Sequence, residues 1–267
     1  MNNKYIGKYI SDKKLKNYYD EIYKKGIKDQ HFLKYRDGDV PLDHKVANKW
    51  IAEQKNSNLN SVMDFGCGEG EFLKNLPSKE RTGLDYSEFA LDRAREKDKS
   101  IEYILSDENG LDKLNKSFDI ITSFGVLEHI PDPKKTLRSL VELSSKNGII
   151  IVSCPSFLNI RGVIWMTLQL LFDVPMSLSD KHFLTPKNIE TFLKGTSKKI
   201  VEMQSVDNEV TQGGYFANDM TKRLTNALSD ASLPNDKVKF LIDWVDSNKE
   251  YFNSNALTGS NMVYLIK

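Results

Sequence analysis

Ser61-Val-Met-Asp-Phe-Gly-Cys-Gly-Glu-Gly70 and, a short step later, Gly83-Leu-Asp85 are the segments from which the architecture can be read. A short apolar run carries an acid, three glycines follow at alternate positions, and a second acid closes the next apolar run. Gly66, Gly68 and Gly70 let the backbone pass close to a ligand, because no Cβ intervenes and unusual φ/ψ values cost little. The arrangement suits a nucleoside-type cofactor lying across the end of a β-strand. Asp85 falls where doubly wound folds place a carboxylate that accepts hydrogen bonds from ribose hydroxyls. A glycine-rich turn with no ligand is the plainer alternative, and Asp64 and Asp85 together argue against it.

The glycine spacing separates two cofactors. Dinucleotide sites need G-x-G-x-x-G, whose third glycine lets the helix pack close to its strand, and here Glu71 stands in that place. An acid beside a helix N-terminus also repels the pyrophosphate that such a terminus attracts. S-adenosylmethionine (SAM) has no phosphate and carries a cationic sulfonium and amine, for which Asp64 and Glu69 are better company.

At 267 residues the chain can bury a sizeable core. Its 38 basic and 37 acidic residues nearly cancel, which gives no reason to expect nucleic acid, whose binding rests on basic contacts to phosphates. Cys67 and Cys154 make neither a disulfide framework nor a zinc pattern, and Cys67 fills a loop position that needs a small side chain. The N-terminus is polar, without a secretory signal, and the most apolar stretch, residues 162–172, is too short to span a bilayer. A reduced, cytoplasmic setting is the expectation. Oligomeric state leaves no trace in the sequence.

From about residue 60 to 206, apolar β-forming runs alternate with amphipathic stretches. Strands are expected at 61–65, 82–85, 101–105, 118–122, 148–154 and 200–206, with a last one at 262–266. Helices are expected at 87–97, with Ala90, Leu91 and Ala94 on one face, and at 133–146, with Leu137, Leu140 and Val141 on one face. Such alternation predicts an α/β fold, a Rossmann-like, mostly parallel sheet of seven strands with helices on both faces. Residues 1–57 read as an N-terminal helical cap segment whose start is crowded with Tyr5, Tyr9, Tyr18, Tyr19 and Tyr23. Residues 58–267 read as the cofactor-binding domain, with insertions at about 156–185 and 207–260 that can roof a pocket at the strands' carboxyl ends.

Four segments in order then carry a resemblance. Val62-Met-Asp-Phe-Gly-Cys-Gly-Glu-Gly70, Gly83-Leu-Asp85, Ser106-Asp107 and Phe118-Asp-Ile-Ile-Thr-Ser-Phe-Gly-Val-Leu-Glu-His-Ile-Pro-Asp-Pro133 resemble the motifs of class I SAM-dependent methyltransferases. The last is most similar to the branch with quinone-biosynthesis enzymes and enzymes that tailor sugars and natural products. The resemblance covers roughly residues 58–206. It implies that Asp64 and the Gly66–Cys67–Gly68 backbone hold the methionine end of SAM, and that Asp85 accepts from the ribose while Tyr86 packs on the adenine. It further implies that Asp107 and the Glu108 backbone read the adenine edge, and that Ser123 and Phe124 line the sulfonium. The product would be S-adenosylhomocysteine (SAH).

Methyl transfer from a sulfonium asks chiefly for alignment and exclusion of water; a hydroxyl acceptor also needs a base, and histidine suits that task near neutrality. His129, after the fourth strand, is the leading base or substrate-orienting residue, with a helix-capping role as the alternative. Glu128 could serve instead or help to bind a metal, as in some quinone-type relatives; Gly125 stands where those relatives carry a further acid, so no metal is expected. His182, in Asp180-Lys-His-Phe-Leu-Thr-Pro186, is a second catalytic candidate, whereas Thr185 and Pro186 fit a helix start. His31 and His44 read as surface residues.

The turn after the fourth strand lacks the Asn/Asp-Pro-Pro-Tyr/Phe of base and amide methyltransferases, and no phosphate-binding G-x-x-x-x-G-K-[ST] loop exists. The apolar insertion 157–175 reads as a lid or dimer contact, or else as an interfacial helix that admits a lipid. The expected partner is a small molecule, methylated on oxygen. A sugar or similar polar metabolite comes first, then a lipid or quinone precursor at a membrane surface, then nitrogen on a small amine or protein. A fold that binds SAM without catalysis is the least favoured reading.

Overall fold

The computed structural model describes residues 16–17, 20–21, 40–54, 60–174, 179–207, 211, 214–252 and 257–267. The tyrosine-rich start and His31 lie largely or wholly outside these residues. The sheet contains β1 (Ser61–Phe65), β2 (Glu80–Asp85), β3 (Glu102–Leu105), β4 (Phe118–Phe124), β5 (Ser144–Pro155), β6 (Ile200–Val206) and β7 (Asn261–Ile266). Their order is β3-β2-β1-β4-β5-β7-β6, with β7 antiparallel to both neighbours and every other pair parallel. The seven-stranded Rossmann-like sheet is therefore as expected. The order reverses between β1 and β4, which opens a crevice at their carboxyl ends.

Both faces are covered. α1 (Leu42–Glu53), α2 (Glu71–Lys74) and α3 (Glu88–Lys97) pack on one side, where Trp50, Leu73 and Leu91 are buried against Val62, Ile120 and Val263. α3 buries the expected Ala90, Leu91 and Ala94, and Ser87 caps its start by accepting from the Ala90 N–H. α4 (Pro133–Leu143) and α6 (Pro186–Leu193) cover the other side around Leu137, Leu140 and Ile189. Thr185 and Asn188 form a capping box at α6, with Pro186 in its first turn, as the sequence predicts.

α4 ends at Leu143, three residues short of the expected end, and β5 begins at Ser144. Tertiary partners favour the extended form. Ser145 Oγ donates to Asp119 on β4 (3.0 Å), and Lys198 Nζ donates to the Ser145 and Gly148 carbonyls.

The two insertions meet. α5 (Ile160–Phe172) comes from the first; α7 (Gly214–Asp230), α8 (Val238–Ser247) and α9 (Lys249–Phe252) come from the second. Phe157 and Trp165 share a separate core with Phe216, Met220, Leu224, Ile242 and Val245. Asn159 ties this cap to the sheet. Its side chain accepts from the Gly162 N–H and donates to the carbonyls of Ser156 and Gly259.

Candidate active site

A cavity of about 1400 Å³ lies over the strands' carboxyl ends between sheet and cap. That exceeds what one drug-sized ligand fills, so cofactor and acceptor both fit. Its floor is the glycine loop. Gly66, Gly68 and Gly70 have φ of 80°, 53° and 75°, the left-handed region that side chains disfavour. A Cβ on Gly66 would lie 2.3 Å from Val126 Cγ2, and one on Gly70 would lie 2.3 Å from the Tyr103 hydroxyl.

Asp85 closes the loop. Its carboxylate accepts from the Gly68 N–H and the Ser87 N–H, both at 2.9 Å. The Tyr86 N–H also acts on this carboxylate, whose two oxygens together offer about four acceptor positions, so capacity for a further donor remains. Burial nonetheless raises its pKa. Cys67, Tyr86, Asp107, Glu108 and Phe124 also line the cavity. Asp107 is partly engaged, since it caps the 3-10 turn of residues 108–113 by accepting from the Asn109 N–H.

Three expectations about this end change. Asp64 does not line the cavity: it lies beneath the loop, accepts from Thr122 Oγ1 at 2.7 Å, and is pushed up to about 7 by burial. Glu69 turns away from the cofactor side because Arg93 (3.1 Å) and Lys97 (2.7 Å) on α3 hold its carboxylate. Ser123 is fully buried within β4 and stops short of the cavity wall.

The turn after β4 forms another wall of the cavity. Glu128 and His129 both line the cavity. The end of the first insertion is stitched onto this turn, as the Glu128 carbonyl accepts from the N–H groups of Lys181 and His182. His129 Nδ1 lies 2.9 Å from the Ser179 carbonyl and 3.4 Å from an Asp180 carboxylate oxygen. An acceptor on one side demands a proton on Nδ1, so the lone pair of the neutral ring resides on Nε2, 3.7 Å from Glu128 Oε1. Glu128 is buried and its pKa is raised to about 7 by desolvation, against the opposing pull of His129.

His182 is brought to the same turn for another purpose. Its Nε2 sits 2.9 Å from the Ile130 carbonyl and it does not line the cavity, so it secures the loop rather than facing a substrate. His44 corrects the surface expectation. α1 carries it to the cavity wall, where it packs with Phe72 and Phe124 (ring centroids 4.9 and 4.5 Å apart), and burial lowers its pKa.

The sequence offered Glu128 and His129 as a possible metal-binding pair but not their third member. Glu128, His129 and Asp180 each offer a ligand atom, all within 4.8 Å of one another. Asp180, from the first insertion, is thus a second acid beside this imidazole. Two carboxylates and an imidazole are chemically suited to a divalent cation.

Residues 36–195, well over half of the chain, match the family of methyltransferase domains. The chain belongs to that family. Among individual proteins, the methyltransferase chain is 32% identical over 118 residues to the ubiquinone biosynthesis O-methyltransferase of Coxiella burnetii (strain Dugway 5J108-111), over 42% of this chain and 50% of that one. It spans about half the length of the curated relatives it matches. In fold it is similar to an S-adenosylmethionine-dependent methyltransferase from Clostridium acetobutylicum ATCC 824 (TM-score 0.56, 15% identity, 94% and 98% of the two chains). It is also similar to coclaurine N-methyltransferase bound to N-methylheliamine and SAH (TM-score 0.52, 16% identity, 84% and 72%). The fold is that of a SAM-dependent methyltransferase domain.

Proposed function

We propose that this domain transfers the methyl group of SAM to a hydroxyl of a small molecule, with His129 as the base. The observation that carries this reading is the contact of His129 Nδ1 with the Ser179 carbonyl, which leaves the Nε2 lone pair on a ring that lines the cavity. Asp85 and the Gly66–Gly68 backbone would hold the ribose and methionine ends, with Phe124 and His44, packed on Phe72, as a wall that excludes water. Bound SAM supplies a sulfonium methyl, whose transfer to the acceptor oxygen breaks the S–C bond and leaves its electron pair on sulfur. His129 Nε2 receives the hydroxyl proton, and Asp180 and the Ser179 carbonyl steady the imidazolium that results.

Oxygen as the acceptor agrees with the name of the Coxiella relative. A second reading, a quinone or lipid precursor met at a membrane surface, is favoured by Val163, Leu170, Leu171 and Phe172, exposed on α5. No described helix is long and apolar enough to cross a membrane, so such an enzyme would lie on the surface through that face. The test is transfer from radiolabelled SAM to a panel of sugars, phenols, catechols and small amines, with and without liposomes. The base role predicts that His129→Ala lowers the rate on whichever acceptor responds by about 10²–10⁴-fold. An unchanged rate refutes that role, and transfer only to amines refutes the hydroxyl reading.

A further inference from the structure

Two arginines from the two insertions converge on the acceptor end of the cavity. Arg161, in the first turn of α5, and Arg223, on α7, both line it. Their guanidinium groups lie 4.6 and 5.8 Å from the ring of Trp165. Among the described residues a single carboxylate pairs with both: Asp219 is 3.3 Å from Arg161 Nη2 and 2.8 Å from Arg223 Nε. Arg161 is largely buried, with its side chain 16% exposed. Its buried Nε has no hydrogen-bond partner.

This is an expensive arrangement for a structural clamp. A cation in the first helical turn meets the positive end of the helix. A second cation stands nearby, and burial of a charge costs several kcal/mol unless it is fully paired. The other acids on this side of the cavity act on Arg161 at longer range and have nearer partners. Asp207 accepts from Ser260 Oγ at 3.0 Å, and Asp180 lies against His129. Among the described residues, two guanidiniums face one adjacent carboxylate, a local charge of about +1, with planar N–H donors of the kind that match an oxyanion.

The topology assigns the group to the acceptor. Asp85 and Asp107 mark the cofactor side, over β2 and β3, whereas α5 follows β5 and its first turn shares the cavity with Glu128 and His129. We propose that Arg161, assisted by Arg223, binds an oxyanion, a phosphate or carboxylate carried by the methyl acceptor, and so sets which hydroxyl reaches His129. The inference rests on the methyltransferase reading and narrows it to anionic acceptors.

The test uses the full chain loaded with SAH, whose affinity is first measured by calorimetry. Inorganic phosphate and acetate are then titrated at constant ionic strength against a chloride control. The signal is the emission of Trp165, isolated by difference from Trp165→Phe. The expected result is a saturable response to phosphate or acetate that weakens roughly tenfold or more in Arg161→Gln and in Arg223→Gln, with SAH affinity retained. Arg223 is 40% exposed, so its variant keeps the test alive if Arg161→Gln does not fold. No saturable response to either anion, or equal responses in the wild type and the folded Arg variants, overturns the proposal. Failure to bind SAH would instead count against the cofactor reading. Vesicles containing phosphatidic acid separate two sources. Co-sedimentation lost in the Arg variants marks a lipid headgroup, and its absence beside a positive phosphate titration marks a soluble acceptor.

Discussion

Replacing Asp64 by Asn probes the cost of keeping a carboxyl beneath the glycine loop. Asp64 is 3% exposed, and burial together with the charges of Asp85 and Asp43 raises it from 3.8 to about 7, against the Thr122 hydrogen bond. A difference of about 3 in pKa corresponds to about 4 kcal/mol. The sign follows from which state holds the proton. The folded protein binds it more tightly than the unfolded chain, so this stabilisation is fully present below pH 3.8 and is lost as pH rises through about 7. Asn cannot ionise, yet its oxygen can still accept from Thr122 Oγ1. Relative to wild type, Asp64→Asn should therefore gain about 1.5 kcal/mol at pH 5 and about 4 kcal/mol at pH 8, over a constant offset from the new amide. Urea unfolding of both proteins without cofactor at pH 5, 6, 7 and 8 measures the gap. A gap that stays constant across that range would refute the reasoning.

Three further outcomes follow from the site. Gly66→Ala places a Cβ 2.3 Å from Val126 Cγ2 at a φ of 80°; the left-handed backbone alone costs about 1–2 kcal/mol. Adding Val126→Ala should recover the steric part of the loss and not the backbone part, and calorimetry with SAH together with denaturant midpoints would show whether it does. Asp85→Ala removes the ribose acceptor and strands the Gly68 and Ser87 N–H groups; SAH affinity should fall by about 3 kcal/mol, or roughly 100-fold, and a loss under threefold would exclude the ribose contact. Asn159→Ala removes the α5 cap and two buried donors, at a cost of about 2–4 kcal/mol; a thermal unfolding midpoint within a degree of wild type would contradict that.

The sheet was legible because its strands are short apolar runs closed by glycine or acid, and the glycine loop follows from local backbone demands alone. What escaped the sequence depends on partners far along the chain. Glu69 suits a cationic ligand until Arg93 and Lys97, one and two turns along α3, claim it. His44 has no telling neighbours in sequence; only the docking of α1 on the sheet brings it to Phe124. The Arg161–Asp219–Arg223 group joins two insertions whose segments resemble nothing in the motif set, and no periodicity marks it. Asp180 was visible beside His182, but the Ser179 and Lys181 contacts that bring it to His129 are tertiary.

The cavity divides between cofactor and acceptor, and a crystal structure with SAH bound tests that division most directly. The ribose should sit on Asp85, the adenine between Tyr86 and Asp107, and the sulfur should face Glu128 and His129 across the acceptor space. SAH bound with its ribose away from Asp85, or with its sulfur turned from His129, would contradict it.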